Sequence, residues 1–299
     1  MQIFYTDHFV LPLPDGHRFP MVKYALLRER VEAANLSRGE ALRVPPAASD
    51  DDLLRAHDSA YLQRVLTGSL EPSEIRAIGF PWTLQMVERS RRSTGATIEV
   101  CRAAVENGVA LSLAGGTHHA FRDHGAGYCV FNDAAVAALA MQSEGRVSRV
   151  VIVDCDVHQG DGTAVILTDD RSVFTFSIHA GRNFPFQKVE SDLDIALPDA
   201  TGDDAYLSSL RHGLLHAFSA SQPDLAIYLA GADPFEDDRL GRLSVSKGGL
   251  RLRDEMVFTM CADLGVPIAV VMAGGYARRI EDSVDIHFNT VQAAANYCK

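Results

Sequence analysis

The 299-residue sequence has no apolar run long enough to cross a membrane. Its longest apolar stretches, such as residues 266–273, have the length of a strand and fall far short of the ~18–20 residues that span a bilayer. Residues 1–7 contain neither a basic region nor a long apolar region, which predicts no secretory signal. Internal repeats, low-complexity tracts and Gly/Ser-rich linkers are also missing, so we expect one domain over residues 1–299. These absences predict a cytoplasmic location, and a nuclear one stays open for a eukaryotic source.

Cysteine is scarce and shows no pairing pattern. The sequence contains five cysteines, an odd number, and no two of them form a Cys-x-x-Cys pair. This pattern argues against a disulfide framework and against a zinc ribbon. Free thiols in a reducing compartment are therefore expected at Cys101, Cys129, Cys155, Cys261 and Cys298.

Positively charged residues are in the minority. The chain has 28 Lys and Arg residues against 39 Asp and Glu residues, a formal net charge of −11. Because the chain is acidic, it is a poor candidate for binding nucleic-acid phosphates, although it can attract cationic substrates. Hydrophobic residues make up 47% of the chain and charged residues 22%, the composition of a globular protein and not of a disordered one.

The first third of the chain predicts helices. Segments mostly free of helix-breaking residues cover residues 22–34 and 82–107. Between them, Ser49 is followed by three Asp residues, which is typical of a helix N-terminus because capping groups and carboxylates meet unpaired N–H groups there. This signal predicts a further helix over residues 53–65.

From residue 110 onward, short apolar runs alternate with segments of helix length. The runs are almost continuously apolar, as strands buried on both faces are. We expect strands at residues 110–114, 150–153, 173–178, 225–230 and 268–273. Helices are expected between them, including residues 134–143, 203–219 and 250–264. The alternation predicts an α/β fold with one central parallel sheet that helices cover on both faces.

Each of these predicted strands leads directly into polar side chains. In chain order these are His118 and His119, then Asp154, Asp156 and His158, then Ser177 and His179, then Asp233, then Tyr276. In an open parallel sheet, ligands bind outside the carboxyl ends of the strands. We therefore expect these groups to lie together in an active site at the C-terminal strand ends.

The second and fourth strand ends carry residues typical of metal ligands. Asp154, Asp156 and His158 alternate along an extended segment, so their side chains point the same way. Two carboxylates and an imidazole in this arrangement are typical of a Zn²⁺ or Fe²⁺ site. Asp233, added to Asp156 and His158, completes a set of three protein ligands. Three protein ligands leave the open position that a catalytic metal needs for water and substrate.

The remaining strand ends supply acid–base groups. In an irregular loop, His118 and His119 can flank one water, and Asp154 and Asp161 are candidates to orient the two imidazoles. One histidine would take a proton from a metal-bound water, and the other would hold or deliver a proton. Tyr276 follows two glycines that let the backbone approach a ligand, so its hydroxyl can donate to a developing oxyanion. Together these groups predict hydrolysis of an amide.

Nine motifs spread over nearly the whole chain are similar to those of one family. They cover residues 16–24, 57–65, 78–82, 115–120, 127–133, 153–162, 231–234, 238–241 and 274–276. On these motifs the chain closely resembles zinc-dependent histone deacetylases, and within them the class IV and bacterial deacetylase-like branch. Gln159 stands where class I enzymes have a second histidine, which is a class IV-like feature. The resemblance implies a single arginase/deacetylase-like catalytic domain.

The resemblance also implies a role for each candidate residue. The implied ligands of one Zn²⁺ are Asp156, His158 and Asp233. The implied catalytic residues are His118, His119, Tyr276, Asp154 and Asp161. The implied substrate channel comprises Gly127, which would accept the substrate amide N–H, Tyr128, Phe184 or Phe186, and Arg18 in the inner pocket. The implied structural K⁺ site comprises Asp154, Asp156, His158, Ser177 and the backbone of Ile178.

The implied function is removal of acetyl or longer acyl groups from the lysine side chains of a peptide or protein. An acetylpolyamine deacetylase, or another small-molecule amide deacetylase of the same fold, is the first alternative. A haloacid-dehalogenase-like phosphatase with Asp154 as nucleophile is a more distant one, since a strand ending in Asp-x-Asp also begins that site. The phosphatase alternative leaves the paired histidines, Asp233 and Tyr276 without a role. A binding module on a degenerate scaffold is disfavoured because the candidate set is intact, and the oligomeric state stays open.

Overall fold

The structure, a computed structural model, describes residues 1–37 and 42–297, which contain seven strands and ten helices. The strands are β1 (Gln2–Phe4), β2 (Val109–Ser112), β3 (Val150–Asp154), β4 (Val173–Ala180), β5 (Leu193–Leu197), β6 (Leu225–Leu229) and β7 (Ile268–Val271). The helices are α1 (Val22–Ala33), α2 (Asp50–Leu53), α3 (Ser59–Thr67), α4 (Pro72–Ile78), α5 (Leu84–Asn107), α6 (Asp133–Ser143), α7 (Asp161–Leu167), α8 (Asp203–Ser221), α9 (Lys247–Leu264) and α10 (Ile280–Tyr297).

All seven strands join one sheet in the order β1-β2-β7-β6-β3-β4-β5, and every neighbouring pair is parallel. From β3, the strands β4 and β5 follow towards one edge of the sheet, whereas β6 and β7 lie on the other side of β3. As a result, β2, β7, β6 and β3 lie side by side at the centre. The predicted α/β fold with a single parallel sheet is therefore confirmed.

Two hydrophobic cores lie on opposite faces of the sheet. Successive side chains of a strand point to opposite faces, and in β3 the buried Val150 and Ile152 join one core while Val151 and Val153 join the other. Helices α5 and α6 cover the first face, and α8, α9 and α10 cover the second. Because both faces are covered, the central strands read as continuous apolar runs, and ligands have access only at the strand ends.

The prediction of one helix over residues 53–65 is wrong. Helix α2 begins at the predicted signal, where Ser49 and Asp52 form a capping box, but it ends at Leu53. A new helix, α3, begins at Ser59. The side chain of His57 lies in the break, bonded to the carbonyl of Phe121 and to a backbone N–H of another loop. These tertiary contacts interrupt a segment whose local sequence favours a helix.

Five elements have no counterpart in the sequence predictions: the edge strands β1 and β5 and the helices α4, α7 and α10. Strand β5 has one buried residue, Leu197, and β1 is three residues long, so neither shows the apolar run of a central strand. Among the described residues, no helix combines the length and apolar character needed to cross a bilayer. The cysteines at 101, 129, 155 and 261 are buried and free, and Cys298 lies outside the described residues.

Candidate active site

The carboxyl ends of four adjacent strands build the site. His118 and His119 follow β2, Tyr276 follows β7, Asp233 follows β6 and the segment 154–158 follows β3. Because these strands are neighbours in the sheet and all run parallel, their ends lie at one edge. The predicted convergence of these distant segments is present in the structure.

Asp156, His158 and Asp233 form the group that can hold a metal ion. Each offers one ligand atom, and the three atoms lie within 4.8 Å of one another. Nδ1 of His158 is 2.9 Å from Oδ1 of Asp156 and 3.4 Å from Oδ2 of Asp233. The backbone fixes the carboxylates, because Val157 N–H donates to Asp233 and Gly274 N–H donates to Asp156. Two carboxylates and an imidazole are thereby held around one point.

The same group fits a cation on physical grounds. Oδ2 of Asp233 is buried and has no hydrogen-bond partner among residues 1–37 and 42–297. Such an atom is costly unless a charge or a donor satisfies it. Burial and the nearby Asp156 raise the pKa of Asp233 to about 7, as expected for two buried carboxylates close together. A Cβ on Gly274 would lie 1.8 Å from that oxygen, so only glycine permits the approach.

Each of the paired histidines has its own carboxylate partner. Nδ1 of His118 lies 2.6 Å from Asp154, and Nδ1 of His119 lies 2.6 Å from Asp161. All four side chains are buried, and the two imidazole rings are 4.1 Å apart. Contact with a carboxylate at Nδ1 fixes the ring and leaves Nε2 for chemistry. This geometry is the one anticipated for Asp154 and Asp161.

The two imidazoles differ in basicity because their surroundings differ. Burial opposes the charge on His118, but Asp154 and Asp156 outweigh it and raise the pKa of that imidazole to about 9. Burial and the neighbouring charge of His118 lower the pKa of His119 to about 4. Near neutral pH, His118 therefore carries a proton and His119 is free to accept one. Environments that push two titratable groups apart are typical of acid–base pairs.

Tyr276 is positioned by a residue whose role the sequence analysis did not assign. Oδ2 of Asp238 accepts the backbone N–H of Tyr276 at 2.6 Å, while Oδ1 of Asp238 accepts N–H groups from the following turn. Burial, with Asp233 and Asp156 nearby, raises the pKa of the Tyr276 phenol well above its ordinary value. The phenol keeps its proton and can act as a donor.

A cavity of about 710 Å³ opens over these groups. Gly127 and Tyr128 line it with positive φ angles, +54° and +67°, and a Cβ on Gly127 would lie 2.6 Å from the ring of His119. Phe184 packs edge-on against His119 with ring centroids 4.8 Å apart. Phe186 also lines the cavity but is 87% exposed. Of the two phenylalanines anticipated for the channel, Phe184 is the one beside the histidines.

The expectation that Arg18 lies in the inner pocket is wrong. Arg18 is exposed and lines the cavity where it meets solvent. The side chain next to it that turns inward is Phe19, and the cation found deep in the cavity is Lys23, which is buried and donates to the carbonyl of Gly275 at 3.3 Å. A second buried cation, Arg89, lines the same part of the cavity. Arg18 lies in the loop before α1, whereas Lys23 lies in the first turn of that helix, and the sequence spacing does not show which of the two points inward.

Two further buried residues shape the site and were missed as functional residues. The carboxylate of Asp133 accepts the N–H groups of Gly116 and Thr117, at 2.9 and 2.7 Å, and so fixes the turn before His118. Arg253 of α9 donates to the carbonyl oxygens of the turns that carry two of the metal-site residues. A signal was available for Asp133, since it lies in one of the nine motifs, whereas nothing in the local sequence marks Arg253.

Gln159 has a structural partner that explains its side chain. Its amide oxygen accepts the N–H of Val189, and its amide nitrogen donates to the carbonyl of Val189 and to Asp194. An amide can both donate and accept in this way, so Gln159 ties the metal-site segment to the loop before β5. The side chain is used for support and not for proton transfer.

The residues anticipated for potassium are neighbours across two strands. Asp154 of β3 is in register with Ser177 of β4, and Ile178 follows directly. The hydroxyl of Ser177 lies 3.0 Å from Nδ1 of His179. Asp156 and His158 continue from the end of β3. Potassium binding itself stays a prediction.

Comparison with known proteins fits this geometry. Residues 17–291 match the histone deacetylase domain family. The chain belongs to the histone deacetylase family. It is 42% identical to an uncharacterized protein of Picosynechococcus, over 95% of each chain, and 30% identical to histone deacetylase 2 of Arabidopsis thaliana, over 90% of this chain and 73% of that one. It is 29% identical to a histone deacetylase-like amidohydrolase of Pseudomonas aeruginosa, over 89% of this chain and 74% of that one.

Solved structures support the same fold. A histone deacetylase homolog from Aquifex aeolicus superposes with a TM-score of 0.86 over 99% of this chain and 84% of that one, at 22% identity. The HD domain of HDA15 gives a TM-score of 0.81 over 98% of this chain and 90% of that one, also at 22% identity. The phosphatase alternative is thereby overturned. Asp154, which would be its nucleophile, is instead buried against His118.

Proposed function

We propose that this histone deacetylase-family amidohydrolase is a zinc-dependent enzyme that removes acyl groups from lysine side chains. The observation that carries the proposal is the buried group of Asp156, His158 and Asp233 beside a histidine whose pKa is lowered to about 4. A group of residues that can bind a metal ion, next to a neutral histidine that can act as a general base, is typical of enzymes that hydrolyse amides. Zinc suits a set of two carboxylates and one imidazole, and such a set leaves a position open.

Bound Zn²⁺ would supply Lewis acidity at the open position of the ligand set. The chain's own residues supply the proton transfers. His119 accepts a proton from the attacking water, with Asp161 stabilising the imidazolium that results. His118, held beside Asp154, would contribute positive charge where negative charge develops when its imidazole is protonated. The Tyr276 hydroxyl donates to the acyl oxygen as it becomes negative.

The cavity supports a slender substrate with a long aliphatic stem. Gly127, Tyr128 and Phe184 line the approach to His119, so an alkyl chain would pass between apolar side chains before its amide reaches the site. Below the site, the cavity continues towards Lys23 and Tyr24. The size of the cavity, about 710 Å³, supports acyl groups longer than acetyl as additional substrates. Assignment to the class IV branch and a cytoplasmic location remain predictions.

Acylated polyamines are the second candidate substrate class. The chain is 30% identical to a polyamine deacetylase of Mus musculus, over 77% of this chain and 38% of that one. A polyamine would place its amide at the site as an acyl-lysine does, since both are acylated primary amines on an alkyl chain.

The test combines a substrate panel with metal analysis. The zinc-loaded enzyme is assayed with acetyl-, octanoyl- and myristoyl-lysine peptides and with acetylated polyamines, and bound metal is measured on the same samples. We expect about one Zn²⁺ per chain and turnover of acyl-lysine peptides. Asp233→Asn is expected to lose zinc and activity together, while Asp263→Asn, an exposed aspartate on α9, keeps both. Full zinc occupancy in Asp233→Asn would contradict the ligand assignment.

The role of His119 is tested separately. His119→Ala is expected to retain zinc and to lose about 10²–10⁴-fold in kcat, the usual contribution of a general base. His212→Ala is the matched control, because His212 is an exposed histidine on α8. A kcat of His119→Ala near that of the native enzyme would assign the water's proton to another group.

A further inference from the structure

The cavity over the site has a charge opposite to that of the protein. Among residues 1–37 and 42–297, seven Lys and Arg residues line it, against one Asp or Glu residue. The single acid is Asp156, which is buried in the metal group. Lys23 and Arg89 lie inside the cavity. The exposed cations at its mouth are Arg18, Arg76, Arg182, Arg239 and Arg242, the mouth arginines.

Three of the mouth arginines have no carboxylate partner. Within residues 1–37 and 42–297, no Asp or Glu oxygen lies within 4 Å of the side-chain nitrogens of Arg18, Arg76 or Arg239. Arg239 donates instead to the carbonyl of Arg278 at 2.9 Å. Many surface arginines elsewhere have such partners, for example Arg92, which lies 2.8 Å from Glu88.

The other two mouth arginines share one acid. Arg242 lies 3.2 Å from Asp199, and Arg182 lies 4.0 Å from the same carboxylate. Two cations facing one anion leave an uncompensated positive charge on that side of the mouth. Positive charge therefore borders the opening on segments that are far apart in the chain: the loop before α1, helix α4, and the loops after β4 and β6.

Resting on the proposed function, we propose that the acylated lysine reaches this site within an acidic segment of a peptide or protein. Carboxylates flanking the lysine would contact Arg18, Arg76 and Arg239. The planar guanidinium presents paired donors that match a carboxylate, and arginine is the residue that most often forms such two-point contacts. Because these three arginines have no carboxylate partner within the described residues, no ion pair to those residues has to break when the substrate binds.

The same charges act against cationic substrates. A polyamine keeps its remaining ammonium groups charged when one nitrogen is acylated, and a lysine-rich tail carries several charges near the modified residue. Like charges that face each other across a binding surface weaken binding, and so they select against partners of the wrong charge. The mouth arginines therefore separate the two substrate classes left open above, and they favour acidic acyl-lysine peptides over acetylpolyamines.

The first test compares peptides that differ only in flanking charge. Three acetyl-lysine peptides carry Glu, Gln or Lys at the positions on both sides of the acetylated residue. An exposed ion pair contributes a few-fold at most, so three such pairs predict a kcat/KM about 10-fold higher for the Glu peptide than for the Gln peptide. The difference should lie in KM and shrink at about 0.5 M NaCl, because salt screens exposed charges. The Lys peptide and acetylspermidine are expected to be the poorest substrates.

The second test removes the charges from the protein. The triple variant Arg18→Gln/Arg76→Gln/Arg239→Gln should lose the preference for Glu over Gln peptides. Arg171→Gln, an exposed arginine outside the cavity, is the matched control and should keep it. Binding of the labelled Glu peptide to Tyr276→Phe, followed by fluorescence anisotropy with and without the three arginine substitutions, gives a readout independent of turnover.

The outcomes separate this inference from the proposed function. Hydrolysis of acyl-lysine peptides without a preference for Glu, or a preference that survives in the triple variant, would overturn the acidic-substrate inference alone. If no acylated peptide is hydrolysed, the proposed function is wrong, and the anisotropy measurement decides the charge inference by itself. Faster turnover of acetylspermidine or of the Lys peptide than of the Glu peptide would also overturn it.

Discussion

Arg253 is predicted to hold the metal site together from beneath. The side chain is completely buried on α9, and its Nη1 donates to the carbonyl oxygens of Cys155 and Gly231. Cys155 directly precedes Asp156, and Gly231 lies two residues before Asp233. One guanidinium therefore connects the two turns that carry the proposed carboxylate ligands. The perturbation we choose is Arg253→Met, which keeps an unbranched stem and removes the charge and the donors.

The expected cost follows from what the substitution leaves behind. Asp254 lies 2.9 Å from Nε and 2.8 Å from Nη2 of Arg253 and is itself buried. Removing one partner of a buried ion pair typically costs about 3–5 kcal/mol, because the other charge remains uncompensated. Two backbone carbonyls also lose their donor. We expect the free energy of unfolding to fall by about 3–5 kcal/mol, a large part of the ~5–15 kcal/mol typical of a domain.

The double variant Arg253→Met/Asp254→Asn separates charge from packing. Asp254 also accepts hydrogen bonds from the hydroxyls of Tyr228 and Thr290, both at 2.6 Å, and an asparagine oxygen can still accept from one of them. Neutralising the orphaned carboxylate should therefore recover about 1–3 kcal/mol of the loss. Zinc affinity should fall about 10- to 100-fold in Arg253→Met, as for other residues that support a metal site.

Urea unfolding of the metal-free protein measures the first quantity, and competition with a zinc chelator measures the second. Arg251→Met is the matched control. It lies on the same helix but is exposed and pairs with Glu255, so a change below about 0.5 kcal/mol is expected. Stability of Arg253→Met within about 1 kcal/mol of the native protein, together with unchanged zinc affinity, would refute the reasoning.

Three further variants test other parts of the site. Tyr276→Phe should keep zinc and lower kcat about 10²–10³-fold, since one oxyanion donor is removed, and retention of more than half the native kcat would contradict that role. Asp133→Asn turns an amide group towards the N–H groups before His118, so we expect a loss of about 1–3 kcal/mol in urea unfolding and a lower kcat. His57 has a pKa lowered to about 4 by burial, and its Nε2 accepts the N–H of Asn132. Between pH ~6.5 and ~4 the unfolded chain binds a proton at His57 that the folded chain does not bind. The free energy of unfolding is therefore unaffected by His57 above pH ~6.5 and falls by roughly 3 kcal/mol as the pH drops to ~4. His57→Gln should flatten that slope, and an unchanged slope would contradict the assignment.

Sequence patterns predicted the parts of the site that depend on local geometry. The alternation of Asp154, Asp156 and His158 is a property of extended chain, and the apolar runs before them are a property of buried strands. In a parallel sheet the carboxyl ends of neighbouring strands lie at the same edge, so these segments were expected to meet there, although the strand order itself was not predicted. These signals predicted that Asp156, His158 and Asp233 lie close together, as they do in the structure. Asp154 and Asp161 were expected only as candidate partners of the two histidines, and the structure shows which histidine each contacts.

The parts that the sequence did not predict depend on contacts between distant segments. The helix break before Ser59 follows from His57 bonding to residues 64 and 75 positions away. Arg253 reaches Cys155 across 98 positions, and neither residue carries a local sign of that contact. The inward turn of Lys23 in place of Arg18 depends on how the loop before α1 packs. No periodicity within one segment records any of these contacts.

The net charge of the chain does not describe the charge at the mouth of the cavity. A formal charge of −11 favours cationic substrates only if it acts as a uniform field, but at physiological salt exposed charges more than ~8 Å apart are largely screened from one another. A substrate at the mouth of the cavity experiences the nearest side chains, and these are arginines. Some of the acidic residues that dominate the total are buried, and many of those on the surface form ion pairs, such as Glu144 with Arg102. Which substrate the site attracts is therefore set by the few charges within one screening length of the opening, which only the fold brings together.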